Sequence, residues 1–239
     1  MRMARTAARP STSTSSGRPA QGVGGVPANG PEELARRMRA AGVRDERVLE
    51  AVASVPRAGF VPSEYRERAY RDEPIPIPHG QVTTQPSLMA AMLEALALEG
   101  GERVLEVGTG QGFQTALLAR LARHVFSVER FADLAETAGR NLRRQGIRNV
   151  DVLVGDGTAG LGEHAPFDAM VVSAAFTRVP EPLAAQLAEG GRLVQPVGPG
   201  GRDEVTLFER RGGAMERLAS VMPACFVKLY GAHGFQGNR

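Results

Sequence analysis

Short apolar runs alternate with amphipathic segments along the chain after residue 100. The runs predict strands over residues 103–107, 124–128, 150–154, 168–173, 192–196 and 204–209, and the segments between them predict helices over 111–122, 132–145 and 181–188. Strands separated by helices pair in parallel and are covered on both faces, so we expect an α/β fold with a doubly wound, mostly parallel sheet. The hairpin-like pattern of residues 204–230 predicts an antiparallel C-terminal edge.

The first hundred residues have a different pattern. Residues 1–30 are rich in Ser, Thr, Gly, Pro and Ala, a composition that cannot bury enough surface to offset the entropy of ordering, and we expect a disordered tail. Helical spacing predicts an N-terminal helical extension over 31–43, 45–55 and 87–98, with a loop-rich stretch between that includes an extended PIPIP segment. We therefore divide the chain into the tail 1–30, a helical and substrate-loop region 31–100, and a core 101–239.

The charge distribution bears on possible partners. The chain has a net charge of +3 and a pI near 9.6, yet residues 1–30 contain four arginines and no acid, so the rest has a net charge of about −1. The chain has no tryptophan and no basic stripe interleaved with aromatic residues. This pattern argues against a nucleic-acid partner.

The cysteine, the apolar runs and the histidines bear on the cellular location and on possible metal or membrane contacts. Cys225 is the only cysteine, no apolar run approaches the length of a membrane-spanning helix, and the four histidines share no metal-ligand spacing. We therefore expect a cytoplasmic protein without a metal, a disulfide or a membrane contact, and we expect a monomer.

A glycine-rich turn follows the first strand of the core. The segment VLEVGTGQGFQ, residues 104–114, places Gly108, Gly110 and Gly112 between a strand and a helix. Ligands bind outside the carboxyl ends of parallel strands, and such a turn lets a ligand approach bare backbone. The third glycine is one residue too early for a dinucleotide-binding turn, and Glu106 would repel a pyrophosphate but tolerate a cation.

Two acids end the next two strands. Glu129 lies 19 residues after Gly110, where a carboxylate can accept hydrogen bonds from both ribose hydroxyls. Asp156 lies in VLVGDGTAG, where it can accept a hydrogen bond from an adenine amino group. A ligand with a sulfonium, an ammonium and one carboxylate fits this pattern, so the residues favour S-adenosylmethionine.

Two long segments are more specific. VLEVGTGQGFQTALLARLARHVFSVER and VLVGDGTAGLGEHAPFDAMVVSAAFTRVPEPLAAQLAEGGRLVQPVG resemble the protein-L-isoaspartate O-methyltransferases, and so does the region that ends in GQVTTQP, residues 80–86. The resemblance covers residues 32–209. It implies a seven-stranded Rossmann-like methyltransferase fold and methyl transfer from S-adenosylmethionine to the free carboxylate of L-isoaspartyl residues, and less well D-aspartyl residues, in age-damaged proteins and peptides.

The resemblance also implies site residues. Thr84 takes the place of the family's active-site serine, which makes it the candidate catalytic residue. The predicted cofactor-binding residues are Gln81, Thr83, Glu106, Gly108, Thr109, Gly110, Gly112, Glu129, Arg130, Asp156 and Gly157.

The sequence departs from the family pattern in two places. Val82 and Thr83 permute the hydroxyl pattern of the Thr84 loop, and Lys228 stands where the family has a proline in the segment 226–229. These departures leave two alternatives open: an aspartate methyltransferase for a dedicated peptide, and a protein that binds the cofactor without transfer. An RNA methyltransferase is disfavoured by the nearly neutral folded part.

Overall fold

A computed structural model describes residues 30–237 of this chain, so the prediction of a disordered tail falls on residues outside that range, apart from Gly30. Six helices occur in the described part, and they are α1 (Pro31–Ala40), α2 (Glu46–Ser54), α3 (Pro86–Leu96), α4 (Phe113–Leu121), α5 (Ala132–Arg144) and α6 (Glu181–Gln186). Nine strands accompany them: β1 (Pro76–Ile77), β2 (Gln81–Val82), β3 (Arg103–Val107), β4 (His124–Glu129), β5 (Val150–Val154), β6 (Phe167–Val172), β7 (Leu187–Val197), β8 (Asp203–Arg211) and β9 (Ala214–Ala224).

Seven of these strands form one sheet in the order β5-β4-β3-β6-β7-β8-β9. The first five are parallel, while β8 and β9 are antiparallel to their neighbours. This confirms the predicted doubly wound seven-stranded sheet and its antiparallel C-terminal edge. The order reverses between β3 and β6, so the carboxyl ends of these two strands flank the topological switch point where such sheets bind ligands.

Alternating residues of the parallel strands form the core on the two faces of the sheet. In β3, Val104 packs on one face with residues of α1 to α5, while Leu105 and Val107 pack on the other face with residues around α6. The N-terminal helices therefore share a core with the seven-stranded sheet. The predicted region 31–100 is a covering layer of that sheet.

Two elements differ from the sequence-based prediction. The helix predicted over 181–188 ends at Gln186, and β7 begins at Leu187 and is twice as long as expected because it pairs with both β6 and β8. The PIPIP segment is extended as predicted, but Pro76–Ile77 also pairs with Gln81–Val82 in a small hairpin. Each paired segment is only two residues long, so hydrophobic periodicity could not predict this hairpin.

Candidate active site

An open cleft lies at the carboxyl ends of β3, β4 and β6, where parallel sheets bind their ligands. Its walls come from three parts of the chain: the β1–β2 hairpin with the residues after it, the turns after the sheet strands, and the C-terminal segment 227–230. Of the residues predicted from sequence, the cleft wall contains Gln81, Thr83, Thr84, Gly108, Thr109, Gly110, Glu129, Arg130 and Gly157.

The turn after β3 forms the floor of the cleft. Gly108 and Gly110 have φ of 96° and 56°, a region that side-chain-bearing residues rarely adopt, so glycine is required for this path. The Gly108 N–H donates to the Val128 carbonyl at 2.9 Å, which ties the turn to β4. The backbone of the turn is thereby held against the cleft with little side chain between it and a ligand.

Gly112 does not line the cleft, and its cofactor contact stays a prediction. It precedes the first residue of α4 with φ of 92°, and a Cβ there would lie 3.3 Å from the Ala138 Cβ of α5. Its small size lets α4 and α5 approach each other. The third glycine of the motif is therefore explained by helix packing.

Glu129 ends β4 with its carboxylate in the cleft wall and is 5% exposed. One carboxylate oxygen accepts the Gly110 N–H at 2.9 Å, and the other accepts the Phe131 N–H at 3.1 Å. Each oxygen has a second lone pair, so both can also accept from a ligand hydroxyl. The two backbone bonds orient the carboxylate for such a bidentate contact.

Glu106 lies beneath the turn, and its contact with the cofactor stays a prediction. The side chain is 0% exposed, is absent from the cleft wall, and accepts hydrogen bonds from Gln114, Thr115 and Ser127. Burial raises the pKa of this carboxyl to about 7, against the opposing effect of the three hydrogen bonds. Glu106 thus stabilises the turn, because its hydrogen bonds join β3 to α4 and β4.

Asp156 also lies outside the cleft wall, although its neighbour Gly157 is part of it. The Asp156 carboxylate accepts from the Thr158 N–H at 2.9 Å and from the Ala232 N–H at 2.7 Å, and the His233 N–H donates to the Thr158 hydroxyl. A Cβ on Gly231 would overlap with the Asp156 carboxylate. The Asp156 carboxylate therefore also holds the C-terminal segment, a contact that sequence spacing could not reveal, and its role as the adenine acceptor stays a prediction.

The two adjacent threonines of the β1–β2 region differ in their contacts. The Thr83 hydroxyl accepts from the Arg57 Nη2 and the Ile75 N–H, both at 3.0 Å. The Thr84 hydroxyl lies in the cleft wall and has no protein hydrogen-bond partner within residues 30–237. The Thr83 hydroxyl is therefore used in hydrogen bonds within the protein, while the Thr84 hydroxyl can bind a ligand.

Arg130 lies at the rim, exposed, with its guanidinium over the rings of Phe131 and Tyr230 at 4.7 and 5.5 Å from their centroids. The His79 ring also stacks on Phe131, at 4.1 Å, and its Nε2 lies 2.9 Å from the Asp133 carboxylate. These contacts join the β1–β2 hairpin, the loop after β4 and the C-terminal segment.

Gln114 is a wall residue that the sequence reasoning missed. Its amide nitrogen donates to Glu106 at 3.0 Å and to Ser173 at 2.9 Å, while its buried Oε1 has no partner within the described residues. The motif GFQT placed Gln114 on a helix, but nothing in its spacing indicated that it faces the ligand side.

The family model described as "Protein-L-isoaspartate(D-aspartate) O-methyltransferase (PCMT)" matches residues 29–234. A protein-L-isoaspartate O-methyltransferase of Methanoculleus marisnigri is 47% identical over 84% of this chain and 91% of its own length. One of Anaeromyxobacter dehalogenans is 50% identical over 82% of this chain and 95% of its own.

This chain belongs to the protein-L-isoaspartate(D-aspartate) O-methyltransferase family. Solved structures agree: one protein-L-isoaspartate O-methyltransferase superposes with a TM-score of 0.75 at 31% identity, covering 85% of this chain and 67% of that one. A Plasmodium falciparum member of the family, solved with S-adenosyl-L-homocysteine, superposes with a TM-score of 0.73 at 26% identity, covering 84% of this chain and 99% of that one. The chain is therefore an S-adenosylmethionine-dependent methyltransferase.

The cleft of this methyltransferase fits the cofactor. The glycine turn leaves backbone exposed, Glu129 keeps free lone pairs on both oxygens, and Gln114 has an unpartnered acceptor in the wall. Within residues 30–237, no group of three or more His, Cys, Asp or Glu side chains could hold a metal ion, and no helix is long and apolar enough to cross a membrane.

Proposed function

We propose that methyl transfer from S-adenosylmethionine to the free carboxylate of L-isoaspartyl residues, and more weakly D-aspartyl residues, takes place in this cleft. One observation carries the proposal. The unpartnered Thr84 hydroxyl shares a single cleft with the glycine turn and the oriented Glu129 carboxylate. The hydroxyl that would bind the substrate carboxylate and the residues that would bind the cofactor therefore line the same cleft.

The cofactor supplies a methyl group already activated on a sulfonium. Gly108, Thr109 and Gly110 would hold it with their backbone, and Glu129 would accept from its ribose hydroxyls. Gly157, Gln81 and Arg130 would complete the walls, and Gln114 offers its free Oε1 to a donor such as an ammonium group. Each of these groups is already oriented by protein contacts, which reduces the ordering cost of binding.

The acceptor needs little chemical activation. An α-carboxylate with an aspartate-like pKa near 4 is ionised at neutral pH, so no general base is required. We propose that the Thr84 hydroxyl donates a hydrogen bond to one carboxylate oxygen and leaves the other free to attack. The rate then comes mainly from holding oxygen, methyl and sulfur in line.

The wider setting of the enzyme follows from its composition and from the chemistry. We propose age-damaged proteins and peptides that contain isoaspartate as its substrates, a cytoplasmic location and a monomeric state. A role on nucleic acid is opposed by the net charge of about −1 outside residues 1–30.

A matched set of short peptides tests the proposed activity. The set carries L-isoaspartate, L-aspartate or D-aspartate at one position and is incubated with methyl-labelled S-adenosylmethionine. We expect base-labile methyl esters on the L-isoaspartyl peptide, fewer on the D-aspartyl peptide, and none on the L-aspartyl peptide. Binding of S-adenosyl-L-homocysteine, measured by calorimetry, is the control for an intact cofactor site.

Two results would contradict the proposal. Cofactor binding without transfer to any of the three peptides would favour a dedicated peptide substrate. Equal transfer to the L-aspartyl and L-isoaspartyl peptides would show that the cleft does not recognise the isopeptide linkage.

A further inference from the structure

Lys228 is the only lysine of the chain and stands in the wall of the active-site cleft. Its backbone belongs to an extended segment that pairs beside Ala175, with the Ala175 N–H donating to the Val227 carbonyl and the Leu229 N–H to the Ala175 carbonyl, both at 2.8 Å. Ala175 follows the end of β6 by three residues, so the segment borders the carboxyl edge of the sheet. The position of Lys228 is therefore set by the sheet itself.

Two contacts orient the side chain of Lys228. Its aliphatic stem lies over Gly200, where a Cβ would be 2.6 Å from the Lys228 Cγ, and its ammonium lies 5.1 Å from the centre of the Phe235 ring. Both neighbours are uncharged. The ammonium has no carboxylate within 4.0 Å among residues 30–237, so its charge is uncompensated in this part of the chain.

The other charged residues of the cleft wall do not compensate the charge of Lys228 either. Lys228 and Arg130 are its two cationic wall residues, and neither has an ion-pair partner within the described range. Glu129 is the single carboxylate of the wall, and both of its oxygens already accept backbone N–H groups. With two cations and one carboxylate, the cleft wall has a net positive charge that favours anionic groups of a substrate.

Lys228 is separated along the C-terminal segment from the Glu129 end of the cleft. Leu229 is buried in the core, while Lys228 and Tyr230 on either side of it are exposed. Tyr230 contacts Arg130 near the Glu129 end, and Lys228 lies two residues away along the extended segment, toward the end of β6. Residues two apart in an extended segment lie about 6–7 Å apart, so Lys228 stands away from the ribose-binding group.

We propose that Lys228 determines substrate specificity by binding a second carboxylate of the substrate, so that the enzyme prefers isoaspartyl sites flanked by an acidic residue. The inference rests on the proposed isoaspartyl activity and deepens it. Because the ammonium is solvent-exposed, the preference is modest: an exposed ion pair corresponds to roughly a two- to fivefold difference in kcat/KM.

Three isoaspartyl peptides that differ only in the residue after the isoaspartate, Glu, Gln or Lys, test the inference. With the wild-type enzyme at low ionic strength, we expect kcat/KM in the order Glu, Gln, Lys, mostly through KM. Lys228→Met should remove the difference between the Glu and Gln peptides, Lys228→Arg should keep it, and Lys228→Glu should reverse it. The affinity for S-adenosyl-L-homocysteine should be the same in all four proteins.

Arg148→Met is the matched control, because Arg148 is exposed, has no ion pair among residues 30–237, and lies outside the cleft wall. It removes the same charge from the molecule and should leave the peptide order intact. Equal rates on the Glu and Gln peptides with the wild-type enzyme, or equal effects of Lys228→Met and Arg148→Met, would overturn this inference alone. No transfer to any isoaspartyl peptide would instead overturn the proposed function.

Discussion

The guanidinium of Arg57 donates from Nη2 to the hydroxyl of Thr83 across 3.0 Å, inside the protein. Arg57 is 0% exposed, and its other contacts are the carbonyls of Ala69, Arg71 and Glu73. Burial lowers its pKa to about 10. One buried cation therefore anchors the whole loop that carries Thr84 into the cleft.

This contact predicts that Thr83→Val destabilises the fold. The substitution leaves one of the two Arg57 Nη2–H groups and the Ile75 N–H without an acceptor, and a lost hydrogen bond to a buried charge costs about 3 kcal/mol of unfolding free energy. Urea unfolding measures this loss. Thr83→Ser keeps the hydroxyl and should stay within about 1 kcal/mol of the wild type; equal stability of the Val and Ser variants would contradict the anchoring role.

The neighbouring hydroxyl should affect turnover and not stability. Thr84→Val keeps the shape of the side chain but removes its donor, so we expect kcat/KM on the isoaspartyl peptide to fall roughly tenfold to a hundredfold, which corresponds to a hydrogen bond to a charged group. Thr84→Ser should retain most of the activity. Steady-state kinetics and calorimetry with S-adenosyl-L-homocysteine separate turnover from cofactor affinity, and unchanged kcat/KM in the Val variant would remove Thr84 from the mechanism.

The buried Glu106 predicts a pH dependence of stability. Its folded pKa of about 7 lies above the ordinary glutamate value of 4.5, so between these values the folded state binds more protons than the unfolded state. Stability contributed by the protonated carboxyl is therefore full below about pH 4.5 and is lost as the pH rises through about 7. Glu106→Gln mimics the protonated form, so its melting temperature should fall less than that of the wild type between pH 4.5 and 7.5.

Thermal unfolding of the cofactor-free enzyme at constant ionic strength measures this difference. Glu102→Gln is a suitable control, because Glu102 lies near the start of the same strand but is solvent-accessible. Parallel pH profiles of the wild type and Glu106→Gln would show that Glu106 does not titrate in this range.

The hydrogen bond between Asp156 and the Ala232 N–H predicts that Asp156 acts on the cofactor through the C-terminal segment. Gly231→Ala places a methyl group against the Asp156 carboxylate and should displace that segment. We expect Gly231→Ala and Asp156→Ala each to weaken binding of S-adenosyl-L-homocysteine by about three- to tenfold. The double variant should be no weaker, because both remove the same contact.

Calorimetric titration of the three variants decides between the two roles of Asp156. If Asp156 instead binds adenine directly, Asp156→Ala should weaken binding while Gly231→Ala leaves it unchanged. Gly101→Ala is the control, since a Cβ at that glycine meets open space.

Much of the fold and part of the site could be predicted because they depend on local pattern. Alternating apolar runs and helical segments determined the parallel sheet, and the glycines after β3 determined where the ligand approaches. Glu129 was placed correctly in the cleft wall because a residue that ends a parallel strand necessarily lies at the ligand edge of the sheet.

Other features were decided only by the tertiary structure. Glu106, Gly112 and Asp156 sit in the same motifs as the wall residues, yet they face a buried network, a neighbouring helix and the C-terminal segment. One residue along a strand or turn reverses the direction of a side chain, and its partners lie up to 76 residues away in the chain. The sequence by itself determined the sheet, the motif and the family; long-range packing decided which of the motif's side chains meet the ligand and which hold the site together.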